Sequence, residues 1–183
     1  MTTVVAIQGP GWVVMAADSQ STYWDSRKVL MSNGKVINNN GVLIGGAGQG
    51  RGLDLLQRGW VAPKPPKRVK TVDQLDDWMS KIFIPAMRDH FVEQGYDMKP
   101  DDSFAKHESA FVIAVNNTLY LLDEDYSYDR EVRGYVSIGS GGDYAMGVLW
   151  VGRDVITKDY NRAKEAALKA VMAAQDFDPF TGG

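Results

Sequence analysis

A threonine at position 2 carries two functional groups on one residue if Met1 is removed: a hydroxyl and an α-amine. An α-amine titrates near neutral pH (reference pKa about 7.7–8.0), so it can take the proton of its own hydroxyl without a histidine. Methionine before a small residue such as threonine is generally removed, so no propeptide cleavage is needed to expose Thr2. Three further features could serve the same chemistry. Asp18 is a carboxylate, Lys35 a cation, and the run Gly45-Gly46-Ala47-Gly48-Gln49-Gly50-Arg51-Gly52 offers closely approaching backbone N–H groups. A lysine beside an amine and a hydroxyl lowers the pKa of both, and an aspartate holds that lysine charged and oriented. Glycine N–H groups can meet a developing oxyanion. Each feature also has a plain structural reading: a turn aspartate, a solvated lysine at a strand end, a glycine bulge.

The elements that must position these groups are read from turn signals and periodicity. Residues 2–8 and 12–17 are β-branched and apolar around Gly9-Pro10-Gly11, which predicts a hairpin. A turn centred near Pro10 sets Thr2 opposite Asp18 at the open end. A second hairpin pairs Lys35-Val36-Ile37 with Val42-Leu43-Ile44 around Asn40-Gly41, placing Lys35 beside Gly45 or Gly46. A short helix follows over residues 50–60 with Leu53, Leu55 and Leu56 inward, then a proline-bearing connector from Pro63 to Lys70.

Residues 71–94 read as one long helix, with Thr71 and Gln74 as a capping box, Pro85 as a kink, and Leu75, Trp78, Met79, Ile82, Phe83, Met87 and Phe91 inward. A third hairpin spans Ala110–Val115 and Thr118–Leu122. A strand at Tyr135–Ile138 leads into Gly139-Ser140-Gly141-Gly142, followed by helices from Asp143 to about Trp150 and from about Lys158 to Ala174. Strands and helices come in separate runs, which predicts an α+β fold of two antiparallel sheets between two helix layers. At 183 residues the chain is long enough for a single domain, 1–183, and too short for two ordinary ones.

Composition removes several alternatives. Hydrophobic residues make up 44% and charged residues 23%, which is globular rather than disordered. A net charge of −3 gives no electrostatic case for nucleic acid or an anionic membrane, and no apolar run spans a bilayer. With no cysteine, disulfides, thiolate metal sites and cysteine nucleophiles are excluded. No signal peptide is read at the start, and a cytoplasmic, reducing compartment is the expectation. The glycine run matches GxGxxG at no register and has Arg51-Gly52 where a phosphate-binding loop needs lysine and a hydroxyl. The acidic residues Asp123, Glu124, Asp125, Asp129 and Glu131 lack calcium-loop spacing and read as a solvated loop. His90 and His107 have no further ligands to make a zinc site and read as surface or helix-flank residues.

Five segments in order resemble the proteasome β-subunit family and its HslV-type peptidases over nearly the whole chain. They are Thr2-Thr3-Val4-Val5-Ala6, Ala16-Ala17-Asp18-Ser19-Gln20-Ser21-Thr22, Lys35-Val36-Ile37 with Gly46-Ala47-Gly48, Ile138-Gly139-Ser140-Gly141-Gly142-Asp143-Tyr144-Ala145, and Asp178-Pro179-Phe180-Thr181-Gly182-Gly183. The resemblance implies an N-terminal-nucleophile (Ntn) hydrolase fold, a four-layer αββα sandwich. It implies Thr2 as nucleophile and base, Asp18 and Lys35 as the tuning pair, and Gly48 as oxyanion donor. Ser140, Asp178 and Thr181 complete the network around the N-terminus. Thr22 and the Gly48–Gly50 backbone would pair with an extended peptide. Ser21, Gly46 and Asp54 would line the pocket for the residue before the cut, with Gly46 leaving it roomy.

The interval from Asp18 to Lys35 is two residues longer than usual in the family, so Lys28 is an alternative for the lysine. Thr181 stands where the family usually has serine. The implied activity is a threonine peptidase acting on unfolded polypeptide, with no cofactor, in a homo-oligomeric double ring fed by an ATPase or similar unfoldase. Two other functions fit the same residues less fully: a catalytically silent ring scaffold, and an Ntn acylase of small amides.

Overall fold

The computed structural model describes residues 2–22, 28–69, 71–97 and 105–183. Met1, whose removal the chemistry requires, and Lys70 lie outside them. The first hairpin is β1 (Thr3–Gly9) and β2 (Trp12–Ala17), and β10 (Tyr135–Gly139) joins the other edge of β1 to give the order β10-β1-β2. The second sheet is antiparallel with the order β5-β6-β7-β8-β9: β5 (Val36–Asn39), β6 (Val42–Gly48), β7 (Ser109–Val115), β8 (Thr118–Leu122) and β9 (Tyr128–Arg130). A short ribbon pairs β3 (Gln20–Thr22) with β4 (Lys28–Leu30). β3, β4 and β9 were not anticipated from sequence, because three-residue strands carry too little alternation to see.

The two larger sheets stack through Ala6 and Val136 on one side and Val112, Ala114 and Leu119 on the other. Outside the five-stranded sheet pack α1 (Gly50–Arg58), α2 (Val72–Trp78) and α3 (Ile84–Glu93), burying Leu56, Leu75, Met79, Phe83, Met87 and Phe91. Outside the three-stranded sheet pack α4 (Gly142–Ile156) and α5 (Tyr160–Phe177). Alanines 163, 167, 170 and 174 let α5 lie close against Val5, Ile7 and Leu149. Asp159 caps α5, its carboxylate accepting from Asn161 and Arg162 N–H at 2.8 and 3.0 Å. The result is the expected four-layer αββα sandwich. Both Asn-turn hairpins form as read: Asn40-Gly41 and Asn116-Asn117 all have positive φ, the mirror-image turn that matches strand twist.

Several sequence readings change. The helix over 71–94 is interrupted by a π-helical stretch at Met79–Phe83, after which Pro85 sits in the first turn of α3. There the missing N–H is not needed, whereas mid-helix it would cost about 3 kcal/mol. The wide turn rotates Ile82 outward to 49% exposure, so it is not a core residue. Thr71 is the N-cap of α2 but its side chain makes no cap hydrogen bond. The helix from Asp143 continues to Ile156 rather than ending near Trp150, and the last helix runs to Phe177. Among the described residues no helix is long and apolar enough to cross a membrane.

Candidate active site

The first hairpin turns between Pro10 and Gly11, not on Pro10: Gly9 pairs with Trp12, and Val4 with Ala17. The register is therefore one residue from the sequence reading, and Asp18 faces Thr3 rather than Thr2. Thr3 N–H donates to Asp18 Oδ1 at 2.9 Å, and Asp18 N–H donates to the Thr3 carbonyl at 3.2 Å. Thr2 sits one step beyond the paired strand, 5% exposed, at the end of a cleft. Its close neighbour is Gly139, with φ +93°, where any Cβ would collide with the Thr2 carbonyl. Glycine at the start of the Gly139-Ser140-Gly141-Gly142 segment is thus what admits the Thr2 backbone.

Lys35 precedes β5, its carbonyl accepting from Gly46 N–H at 3.1 Å as the hairpin reading required. Its ammonium lies 2.9 Å from both Asp18 oxygens and also donates to the Gln20 carbonyl. Lys28 is exposed in β4 opposite Thr22, so Lys35 is the lysine that meets Asp18. Burial holds the Lys35 pKa below its ordinary value, and the hydrogen bond and charge of Asp18 oppose that shift. Asp18 Oδ2 also accepts from the N–H groups of Gln20 and Gly182, each at 3.2 Å. Backbone from both ends of the chain thereby fixes the carboxylate.

A second network lies behind Thr2. Asp178 Oδ2 accepts from Ser140 Oγ at 2.6 Å and Thr181 Oγ1 at 2.7 Å, and Asp178 Oδ1 accepts from Phe180 N–H at 3.1 Å. Burial would raise the carboxyl, but these hydrogen bonds outweigh it and keep its pKa below the ordinary value. Thr181 Oγ1 is also 2.7 Å from Thr3 Oγ1, which links this network to β1. Thr3, Gln20 and Gly182 were not singled out from sequence. All three lie inside the motifs already quoted, but only the one-residue register shift reveals Thr3 as the partner of Asp18.

The cleft is walled by Thr2, Lys35, Gly48, Ser21, Gly46, Gly50 and Asp54 among the candidates, and also by Met31, Asn33, Leu53, Ser109 and Phe111. Thr22 does not line it; its hydroxyl accepts from Gln20 Nε2 at 3.1 Å. Gly46 does not simply enlarge the pocket. A Cβ there would press on Phe111 and Leu53 at 3.2–3.4 Å, so the glycine lets those side chains close in. Gly48 has φ +98°, and a Cβ would stand 2.5 Å from the Glu108 carbonyl oxygen. N–H groups alternate edges along β6: Gly46 points to Lys35, and Gln49 to the Glu108 carbonyl at 2.9 Å. Gly48 N–H is on the Gly46 edge, past the end of β5, and so faces the cleft.

The histidines are not surface residues. His90 is 7% exposed with Nε2 3.2 Å from the Leu55 carbonyl, and His107 is fully buried. No group of side chains among the described residues could hold a metal ion.

No protein-family model matches the chain. It is 26% identical over 185 residues to the ATP-dependent protease subunit HslV of Ligilactobacillus salivarius, covering 99% of this chain and 94% of that protein. Among solved structures it resembles Thiobacillus denitrificans BPH in complex with epoxomicin, with a TM-score of 0.73 and 21% identity over 100% of this chain and 94% of that one. It also resembles the eukaryotic HslV of Trypanosoma brucei, with a TM-score of 0.63 and 22% identity over 99% and 94%. With the sandwich, the order of elements and an end-to-end relative in agreement, the chain shares the fold of these structures and is similar over its length to an HslV-type peptidase subunit.

Proposed function

We propose that this chain is a threonine peptidase in which Thr2, freed of Met1, is both nucleophile and base. The observation that carries the reading is the Lys35 ammonium bridging both oxygens of Asp18 in the cleft that also holds Thr2 and Gly48. The neutral α-amine takes the Thr2 hydroxyl proton as Oγ attacks the peptide carbonyl. Gly48 N–H meets the oxyanion. As the tetrahedral intermediate collapses, the amine's proton passes to the leaving nitrogen and an ester remains on Thr2. Water attacks that ester with the same amine as base, releasing the carboxylic product. The Lys35 cation favours the neutral amine, and Asp18 keeps that cation in place. Ser140, Asp178 and Thr181 orient the N-terminus from behind. Their anionic carboxylate offsets the positive charge that the amine gains in each step.

The substrate is extended polypeptide. It adds as a strand along the Gly48–Gly50 backbone, with its side chain before the cut among Ser21, Gly46 and Asp54. The 183 residues act as one domain. The relative from L. salivarius is named as a subunit of an ATP-dependent protease. By that likeness this chain works in a homo-oligomeric double ring in the cytoplasm. An ATPase partner supplies unfolded substrate and uses the nucleotide.

The test is intact mass before and after epoxomicin, the molecule bound in the BPH neighbour. An epoxyketone needs the hydroxyl and free amine of one residue. A mass lacking Met1 plus one adduct, absent in Thr2→Ala, is the expected result. Loss of Met1 with no adduct, together with no peptide cleavage, overturns the reading in favour of a silent scaffold. Turnover of small acyl amides without peptide cleavage would instead make it an acylase.

A further inference from the structure

The cleft and the oxyanion donor account for Gly46, Gly48 and Gly50 of the glycine run but not for Gly52. Gly52 is buried in α1, and a Cβ there would stand 2.7 Å from Ser109 Oγ and 3.0 Å from the Tyr96 ring. Its absent side chain makes room for a polar pair that is itself buried. Ser109, at the start of β7, is 1% exposed, and its hydroxyl donates to the Gln49 carbonyl at 2.9 Å. That hydroxyl has one proton, so the Tyr96 hydroxyl, 2.8 Å away, must be the donor in their mutual bond. Ser109 N–H in turn donates to His107 Nδ1 at 3.3 Å.

We infer that Ser109 is a positioning residue for the reaction: its hydroxyl locks the Gln49 carbonyl and thereby the Gly48 N–H that faces the cleft. The geometry shows what holds the segment on each side. On the N-terminal side of Gly48, β6 is fixed by its pairing of Ala47 with Ala110. On the C-terminal side the Gln49 N–H is held by Glu108 and the Gln49 carbonyl by Ser109. That carbonyl also takes the Gly52 N–H, at 3.3 Å, and, as the N-cap carbonyl of α1, the first intrahelical bond, so Ser109 supplies its one side-chain contact among the described residues. Gly48 and Gly50 flank the anchored residue, and glycine visits both signs of φ at little cost. Released from Ser109, the Gln49 peptide units can relax about those two glycines, and the Ala47–Gly48 peptide unit that carries the oxyanion donor loses its support on the C-terminal side. Tyr96 holds the Ser109 rotamer from the far side, and α1, which begins at Gly50, inherits the same anchor.

The catalytic consequence rests on the peptidase reading above, but the anchoring does not. The experiment therefore takes two readings from wild type, Ser109→Ala, Ser109→Thr and Tyr96→Phe in the assembled protein. Steady-state cleavage of a fluorogenic peptide should show kcat lowered about tenfold to thirtyfold in Ser109→Ala, part of the loss seen when an oxyanion donor is removed outright. KM should stay within about twofold, because the anchored N–H acts on the transition state. Ser109→Thr, which keeps the hydroxyl, should recover most of kcat, and Tyr96→Phe should fall between.

Amide hydrogen exchange should accelerate at least about tenfold in the segment 48–52 of Ser109→Ala, with Phe111–Val115 still protected. Unchanged exchange at 48–52 overturns the inference whatever the activity. Faster exchange with wild-type kcat, or faster exchange spread through β7, also overturns it, since Ser109 would then be structural only. A wild type that cleaves nothing and takes no epoxomicin counts against the peptidase reading alone, and the exchange still decides whether Ser109 holds the loop.

Discussion

Lys35 and Asp18 meet face on, the ammonium 2.9 Å from each carboxylate oxygen, with side chains only 11% and 1% exposed. Removing either partner has different consequences. Without Lys35, Asp18 keeps the N–H groups of Thr3, Gln20 and Gly182. Without Asp18, the N–H groups of Thr3 and Gly182 lose this acceptor, Gln20 N–H keeps only the Gly182 carbonyl, and a buried ammonium loses its counter-charge. Asp18→Ala should therefore lose about 3–5 kcal/mol of stability, and Lys35→Met only about 1–2 kcal/mol. Both should cut peptidase kcat by at least about a hundredfold. Chemical denaturation beside steady-state kinetics separates the two effects. Equal destabilisation would mean the backbone donors do not sustain the carboxylate.

Gly48→Ala forces a side chain into φ +98° and against the Glu108 carbonyl. The strain should cost about 1–3 kcal/mol, and a shifted N–H should lower kcat about a hundredfold. Thermal unfolding and kinetics of the variant check this. Near-wild-type kcat would remove Gly48 from the oxyanion role.

Asp178→Asn keeps an oxygen for Ser140 or Thr181 but loses the charge both hydroxyls now stabilise. Stability should fall by about 1–2 kcal/mol, since hydrogen bonds to a charged acceptor are the stronger kind. The rate should fall about tenfold or more, with the pH optimum displaced because the carboxylate no longer offsets the charge on the amine. A pH–rate profile identical to wild type would show that Asp178 is only structural.

His107 gives a pH dependence of stability with a definite sign. Burial lowers its folded pKa to about 4, against about 6.5 unfolded. Between those values the unfolded chain binds the extra proton, so stability is present above pH 6.5 and is lost as pH falls toward 4. The loss is on the order of 3 kcal/mol. Its Nε2 has no hydrogen-bond partner among the described residues, and Phe91, Tyr96, Phe111 and Tyr126 surround the ring. His107→Phe should flatten this part of the pH–stability curve. An unchanged slope between pH 4 and 6.5 would assign the acid sensitivity elsewhere.

The sequence by itself determined everything that short-range chemistry writes. Asn40-Gly41 and Asn116-Asn117 demand positive φ and so name their hairpins. Apolar alternation marks β1, β6 and β7, and the motif order brings Thr2, Lys35 and Gly48 to one cleft. Tertiary structure decided what depends on contacts between distant segments. Gly9-Pro10-Gly11 is compatible with turns one residue apart, and only pairing of β1 with β10 and β2 settles that Thr3, not Thr2, faces Asp18. His107 looked like a polar connector residue because its neighbours in sequence are polar, while its neighbours in space are aromatic rings from three other segments. Ser109 lies 60 residues from Gln49, and no local pattern couples them. Periodicity reports which face of an element turns inward, but a hydrogen bond across the fold is specified by the packing of whole layers.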